Sequence, residues 1–210
     1  MPPGAGAGAG TLSCIAMTNT PTFKLTLRAA ALALWACHAH AAAAQPVQPT
    51  APVMPIAPIA TLDVPRYMGT WFEIAKFPNR FQRKCARNTA AEYALQGDGT
   101  VRVANRCRTA QGDTLEAIGQ ARQIGAATSP KLEVRFAPAW LSFLPMVWGD
   151  YWVIDLDARY QLVAVSEPRR EFLWVLSRTP QVDASAYQAL LGRLTQQGFD
   201  VGRLERTPQE

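Results

Sequence analysis

Histidine is nearly absent from this chain of 210 residues; there are 2, His38 and His40, and both fall within the first 44 positions. Everything after Ala44 must do without imidazole. Ser-His-Asp chemistry is excluded there, a cysteine nucleophile would lack its usual base, and zinc and haem sites lose a common ligand. No G-x-S-x-G occurs, and no glycine loop is followed by Lys-Ser or Lys-Thr, so serine-hydrolase and phosphate-loop signatures are missing too. No catalytic residue, metal ligand or cofactor is expected. The acids Glu73, Asp150 and Asp155 could formally pair for acid–base work, but acids scattered at strand ends are read as structural.

Acidic residues are missing from residues 1–44, whose only charges are Lys24 and Arg28. This is the composition of a secretory targeting segment: a positive stretch, a short apolar run from Ala29 to Ala36, and an A-x-A site at Ala42-Ala43-Ala44. The apolar run is too short to span a bilayer. Residues 1–16 read as an upstream extension, with Met17 as the true start. Leu34-Trp35-Ala36-Cys37 is similar to a bacterial lipobox, so two readings stand open: acylation at Cys37, or cleavage near Ala44. Acyl chains at Cys37 would anchor the protein to a membrane, each buried methylene contributing about 0.8 kcal/mol. Cleavage would leave it soluble in the periplasm.

Clustered charge is also missing. The net charge of +5 falls to +3 once Lys24 and Arg28 are set aside with the targeting segment. The remaining cations are scattered, among them Arg80, Arg83, Lys84, Arg102 and Arg106, without the aromatic interleaving of a nucleic-acid platform, so no nucleic-acid partner is expected. Residues 45–62 are rich in proline and almost uncharged, which favours an extended tether over packed structure.

What is present from residue 63 to residue 206 is one globular domain, in which short alternating or wholly apolar runs are separated by turn residues. Eight strands are predicted, at 69–77, 88–95, 101–108, 115–124, 131–136, 150–155, 161–166 and 172–178. Their regular spacing argues for an all-β, antiparallel up-and-down meander closing as an eight-stranded barrel, wide enough to be filled or to hold one small ligand. After Pro180 the period changes. Asp183 caps a predicted helix with Tyr187, Leu190, Leu191 and Leu194 on one face and Gly198 at its end, and this helix packs outside the barrel.

Alternation within strands assigns the inward set. Ala91, Tyr93 and Leu95 oppose Glu92. Val101, Val103, Asn105 and Cys107 oppose Arg102 and Arg106. Leu132, Val134 and Phe136 oppose Lys131, Glu133 and Arg135. Cys85 and Cys107 both continue inward sets, near each other across the hairpin that turns at Gly97-Asp98-Gly99. A disulfide between them is expected in an oxidising compartment, and since a simple count places Cys85 opposite a residue beyond Cys107, it requires a bulge or bend.

The strings Tyr67–Phe77, Thr89–Cys107, Gly149–Asp157 and Phe172–Pro180 together resemble the lipocalin family, and in particular its bacterial outer-membrane lipoproteins. The likeness runs from Asp63 to Phe199. It implies that Gly69, Trp71 and Arg178 close the barrel floor, the guanidinium lying across the indole. It also implies that Tyr151 and Trp174 face a cavity together with Ala91, Tyr93, Val103, Asn105, Val134 and Phe136. The implied function is binding of a small hydrophobic ligand, a lysophospholipid or fatty acid, at the periplasmic face of the outer membrane, by a monomer or homodimer that is not an enzyme. Two rival classes stand beside it: a lipocalin-type enzyme acting on a hydrophobic substrate, and a structural envelope protein with a filled barrel. The segment Ala139–Trp148 is nearly all apolar and is expected to border the open mouth and touch an acyl chain or a membrane.

Overall fold

The computed structural model describes residues 55–210. The targeting segment with Cys37 and most of the proline-rich stretch lie outside the described residues. Asp63 accepts a hydrogen bond from the Arg66 N–H and so caps a single helical turn, α1 (Val64–Tyr67), with Pro65 in the first turn, where its missing N–H has no intrahelical role. Eight strands follow: β1 (Gly69–Lys76), β2 (Arg87–Leu95), β3 (Val101–Arg108), β4 (Thr114–Gln123), β5 (Lys131–Arg135), β6 (Gly149–Leu156), β7 (Leu162–Ser166) and β8 (Leu173–Ser177). Each pairs antiparallel with the next, and β1 pairs with both β2 and β8, which closes the barrel. The strand ends lie within two residues of those expected from the alternation.

The C-terminal helix α2 (Ala184–Gln196) is capped by Asp183, which accepts from the Ala186 N–H. Its buried Tyr187, Leu190 and Leu194 lie in one apolar cluster with Ile74, Phe77, Ile154, Leu173 and Val175, residues of the barrel's outer wall and the end of β1. A second cluster fills the inside, where Trp71, Tyr93, Val103, Val153, Val163, Val165 and Leu176 are buried with Leu62, Val64 and Tyr67 from the N-terminal turn. Beyond α2 the chain adds a two-residue strand, β9 (Glu205–Arg206), against the far end of β1. Neither α1 nor β9 has a repeat long enough to show as periodicity.

The expected tether is shorter than 45–62. Ile56 and Leu62 are buried, Ile59 donates its N–H to the Val153 carbonyl, and Leu62 donates to Thr128. Packed structure therefore begins no later than Ile56. Proline removes donors but leaves the side chains between prolines free to dock, and this is how the segment combines a tether's composition with a buried face.

Cys85 and Cys107 are bridged, with Cα atoms 5.5 Å apart. The irregularity that the count required is present: Arg87 faces Arg108 whereas Ala90 faces Arg106, and Asn88 within the shift has a positive φ of 52°. The bridge ties the β1–β2 connection to the end of β3.

One end of the barrel is closed. Arg178 holds its guanidinium 4.0 Å from the centroid of the Trp71 indole and donates to the carbonyls of Thr70, Arg66 and Tyr160. The Trp71 indole N–H donates to the Tyr67 carbonyl at 2.8 Å. Gly69 is required beside them on two counts: its φ is +94°, and a Cβ there would lie 3.3 Å from an Arg178 nitrogen. The connections β2–β3, β4–β5 and β6–β7 lie at this end. At the other end lie the long β1–β2 and β5–β6 connections, with β3–β4 and β7–β8. Replacing Arg178 with Ala removes a stacked cation and three donors, so urea unfolding is expected to show a loss of about 2–4 kcal/mol; a loss below half a kcal/mol would mean the floor holds without it.

Candidate functional site

The residues expected to face a cavity divide into two groups by depth. Ala91, Tyr93 and Val103 are buried in the closed half. Asn105, Val134, Tyr151 and Trp174 also point inward but are only half-buried. Phe136 departs from expectation. It lies beyond the end of β5, is 45% exposed, and sets its ring against Gly119, where a Cβ would come within 2.7 Å of it. Gly119 has no side chain because Phe136 and the Arg135 carbonyl occupy the space one would need. Phe136 is therefore a rim residue.

The register explains why the upper half stays open. β5 answers β4 only from Gln120 to Gln123, so the segment Thr114–Gly119 pairs with β3 alone. Leu115 and Ala117 share the inward face with their partners Cys107 and Asn105, yet both are exposed. Small side chains line this wall, with Ala91, Asn105 and Ala117 side by side across β2, β3 and β4. The arrangement leaves a partly apolar inner surface facing solvent, bounded by Asn105, Leu115, Ala117, Val134, Phe136, Tyr151 and Trp174.

Below that surface lies a hydroxyl trio missed by sequence reasoning. Tyr67 from α1 reaches up to Tyr151 with 2.8 Å between hydroxyl oxygens, and Tyr151 reaches Tyr93 at 3.0 Å. The Tyr67 ring lies 5.0 Å from that of Trp71 and stacks at 5.7 Å on Tyr93. Burial pushes the Tyr93 hydroxyl up to about 12 and those of Tyr67 and Tyr151 well above their ordinary value, so all three stay protonated. Three hydroxyl protons serve two links, which leaves one donor for another acceptor. Tyr67 stood inside the motif string, and the Asp63-x-Pro65 start signal beside it could have revealed the turn that aims it.

A second polar group crosses the upper interior. Asn79 accepts from the N–H groups of Phe81 and Gln82 and so forms a short 3-10 turn, Arg80–Gln82, in the β1–β2 connection. The turn presents the Gln82 amide, whose N–H donates to Glu73 on β1 and whose oxygen accepts from the Trp174 indole at 3.0 Å. Thr207 donates to the other Glu73 oxygen. Glu73 is 2% exposed, and burial pushes its carboxyl above the usual carboxylate value, partly offset by the bonds from Thr207 and Gln82. Nothing in the local sequence singles out Gln82 or Thr207, since their partners are distant along the chain.

The three acids weighed as a catalytic pair are not brought together. Asp155 receives two hydrogen bonds from Arg193 of α2 on the outer wall, Asp150 is exposed opposite Glu133, and Glu73 is inside. Surface depressions of about 390 Å³, between Val182 and the C-terminal tail, and about 220 Å³, between Arg122 and Phe143, both lie outside the barrel. The apolar segment 139–148 stands at the open end but folds over the outer flank. The Trp148 ring packs under Arg122, whose guanidinium is 4.1 Å from the ring centroid, and under Arg135 at 5.2 Å.

A family model described as a lipocalin-like domain matches residues 62–209. Among curated proteins, temperature-induced lipocalin-1 of Arabidopsis thaliana is 41% identical over 150 residues, covering 70% of this chain and 80% of that protein. Outer membrane lipoprotein Blc of Escherichia coli K12 is 39% identical over 142 residues, covering 67% and 76%. Among solved structures, the cockroach allergen Per a 4 superposes with a TM-score of 0.57 at 19% identity, covering 74% of this chain and 94% of that one, a likeness of fold alone.

The raised Glu73 carboxyl sets a pH dependence. The folded state holds this proton more tightly than the unfolded chain, so the group's contribution to stability is complete below its ordinary value near 4.5 and is lost as pH rises through the raised folded value. Urea midpoints measured across that range should fall with pH in the parent chain and fall less steeply in Glu73→Gln; equal slopes would show that Glu73 is not the group responsible.

Proposed function

The chain belongs to the lipocalin family, and from that premise we propose that it carries a small hydrophobic ligand, a lysophospholipid or fatty acid, in the open half of its barrel within the bacterial cell envelope. The observation that carries this reading is the inner surface left half-exposed around Asn105, Val134, Phe136, Tyr151 and Trp174. An acyl chain laid there removes apolar surface from water at about 25 cal/mol per Å² before association costs, and no bond need be made or broken. The neutral tyrosine trio offers a donor to a carbonyl or hydroxyl on the ligand, while a charged headgroup stays at the mouth, where its hydration is kept. The matched lipoproteins of the outer membrane support an envelope location; acylation at Cys37 rests on the lipobox-like Leu34-Trp35-Ala36-Cys37 alone, and the chain is read as a monomer or homodimer.

A second reading, a filled structural barrel, draws on the Glu73–Gln82–Trp174 group, which occupies part of the upper interior. Native mass spectrometry of protein taken from the envelope fraction separates the two. A co-purifying lipid is expected, together with the added mass of acyl chains at Cys37; a bare chain starting after Ala44 would remove the anchor. In titrations with a dispersed fatty acid, Trp174→Ala should weaken binding about tenfold with the barrel still folded. An unchanged dissociation constant would take Trp174 out of the pocket, and the absence of both lipid and binding would favour the filled barrel.

A further inference from the structure

Strict alternation along β1 from Trp71 and Glu73 would put Lys76 on the outside of the barrel. The structure turns it inward. Against β8 the register of β1 slips between Glu73 and Ala75, so that Ala75 faces Val175 and Lys76 faces Trp174. Cross-strand partners share a face. Ala75 and Val175 belong to the outer apolar cluster, whereas Trp174 packs against the inner one, and Lys76, the last residue of β1, therefore shares the inner face with Trp174 at the open end. Among the described residues, the registers of the eight barrel strands place no other lysine or arginine on that face.

A cation turned into a barrel needs an anion to offset its lost hydration. The Lys76 side chain is only 14% exposed, and its ammonium, which carries three donors, gives one to Glu205 at 3.1 Å. Glu205 stands opposite Lys76 on the two-residue strand β9, with its own side chain 58% exposed. An ion pair with one member largely in water contributes little net stability, because that member is well hydrated when released. The other inner acid cannot take its place, since both Glu73 oxygens already accept, from Gln82 and from Thr207. The mostly buried cation thus has donors to spare and a counterion that is cheaply displaced.

We propose that Lys76 binds the anionic head of an amphiphile, a carboxylate or a phosphate, and that Glu205 is a stand-in which the head displaces. This rests on the reading of the barrel as a carrier of an acyl-chain ligand and adds the headgroup chemistry it selects. Trp174, the cross-strand neighbour, belongs to the half-exposed inner surface, so adjacent residues of one wall would receive the charged head and the start of the chain. Released Glu205 returns to water.

The test is titration of the full chain with dispersed dodecanoic acid, dodecyl phosphate and dodecanol, which share one chain and differ in the head, at neutral pH and low salt. The parent should bind the anions about tenfold more tightly than the alcohol, and added salt should narrow that gap; a preference for only one anion would identify the head as carboxylate or phosphate. Lys76→Met should bring the anions down to the level of the alcohol while changing alcohol affinity less than about twofold, and Lys76→Arg should restore most of the preference. Glu205→Gln removes the competitor and should tighten anion binding at least about threefold without affecting the alcohol. Equal affinity of the parent for all three probes, or equal weakening of all three by Lys76→Met, would overturn the assignment; so would unchanged anion affinity in Glu205→Gln, which also decides the matter if circular dichroism shows Lys76→Met to be misfolded. A parent that binds none of the three probes would instead remove the carrier reading itself.

Discussion

A cation on an aromatic face holds the closed end of this barrel, and much of the remaining architecture follows from it. Arg178 directly follows the last barrel strand and Trp71 lies near the start of the first, so their stacking brings together parts of the chain about a hundred residues apart beside the β1–β8 seam. The three carbonyls that the guanidinium bonds come from α1, β1 and the β6–β7 connection, so one side chain fixes three elements at once. Lysine could not replace it, because a single ammonium has neither the planar face to stack nor the fork of donors to spread over three acceptors. Gly69 belongs to the same constraint, as its missing Cβ is where the guanidinium passes.

From that floor the interior changes character with height. The lowest layer is aromatic, with the Trp71 indole N–H bonded to the Tyr67 carbonyl, and over it the hydroxyls of Tyr67, Tyr93 and Tyr151 link to one another. Above it the barrel loses a strand's worth of pairing on one side, because β5 stops at Arg135, and on the other side the β1–β2 connection leans inward to place Gln82 between Glu73 and Trp174. Fold stability and an accessible inner surface are thereby assigned to different halves. The floor is packed tightly around Trp71, and the upper half can remain half-exposed because it is not needed to close the sheet.

Much of this was legible in the residues. The eight strands alternate strongly, since one face of each is buried, and the switch to helical spacing after Pro180 locates α2 because a helix on a barrel must bury a single stripe. The Cys85–Cys107 bridge follows from an oxidising compartment and shared facing, and counting around one hairpin adds the need for a bulge or bend. Parity alone places Phe136 in the wall, yet parity says which side a residue faces and not where pairing stops. The buried Ile56 and Leu62 were hidden by the prolines around them, and Tyr67, Gln82 and Thr207 by the remoteness of their partners.

Local periodicity and turn chemistry determined, from the sequence alone, that this chain is an all-β barrel with an outer helix, and the separated Gly69-x-Trp71 and Arg178 marked its family. These are properties of near neighbours along the chain or of a few motifs, so they survive without coordinates. Only the tertiary structure decided which inward residues are sealed and which face solvent, which acids are buried, and that Trp140, Phe143 and Met146 are all left exposed. Those outcomes depend on where strands end and which distant segments meet, and a contact between remote residues leaves no periodic trace in the sequence that makes it.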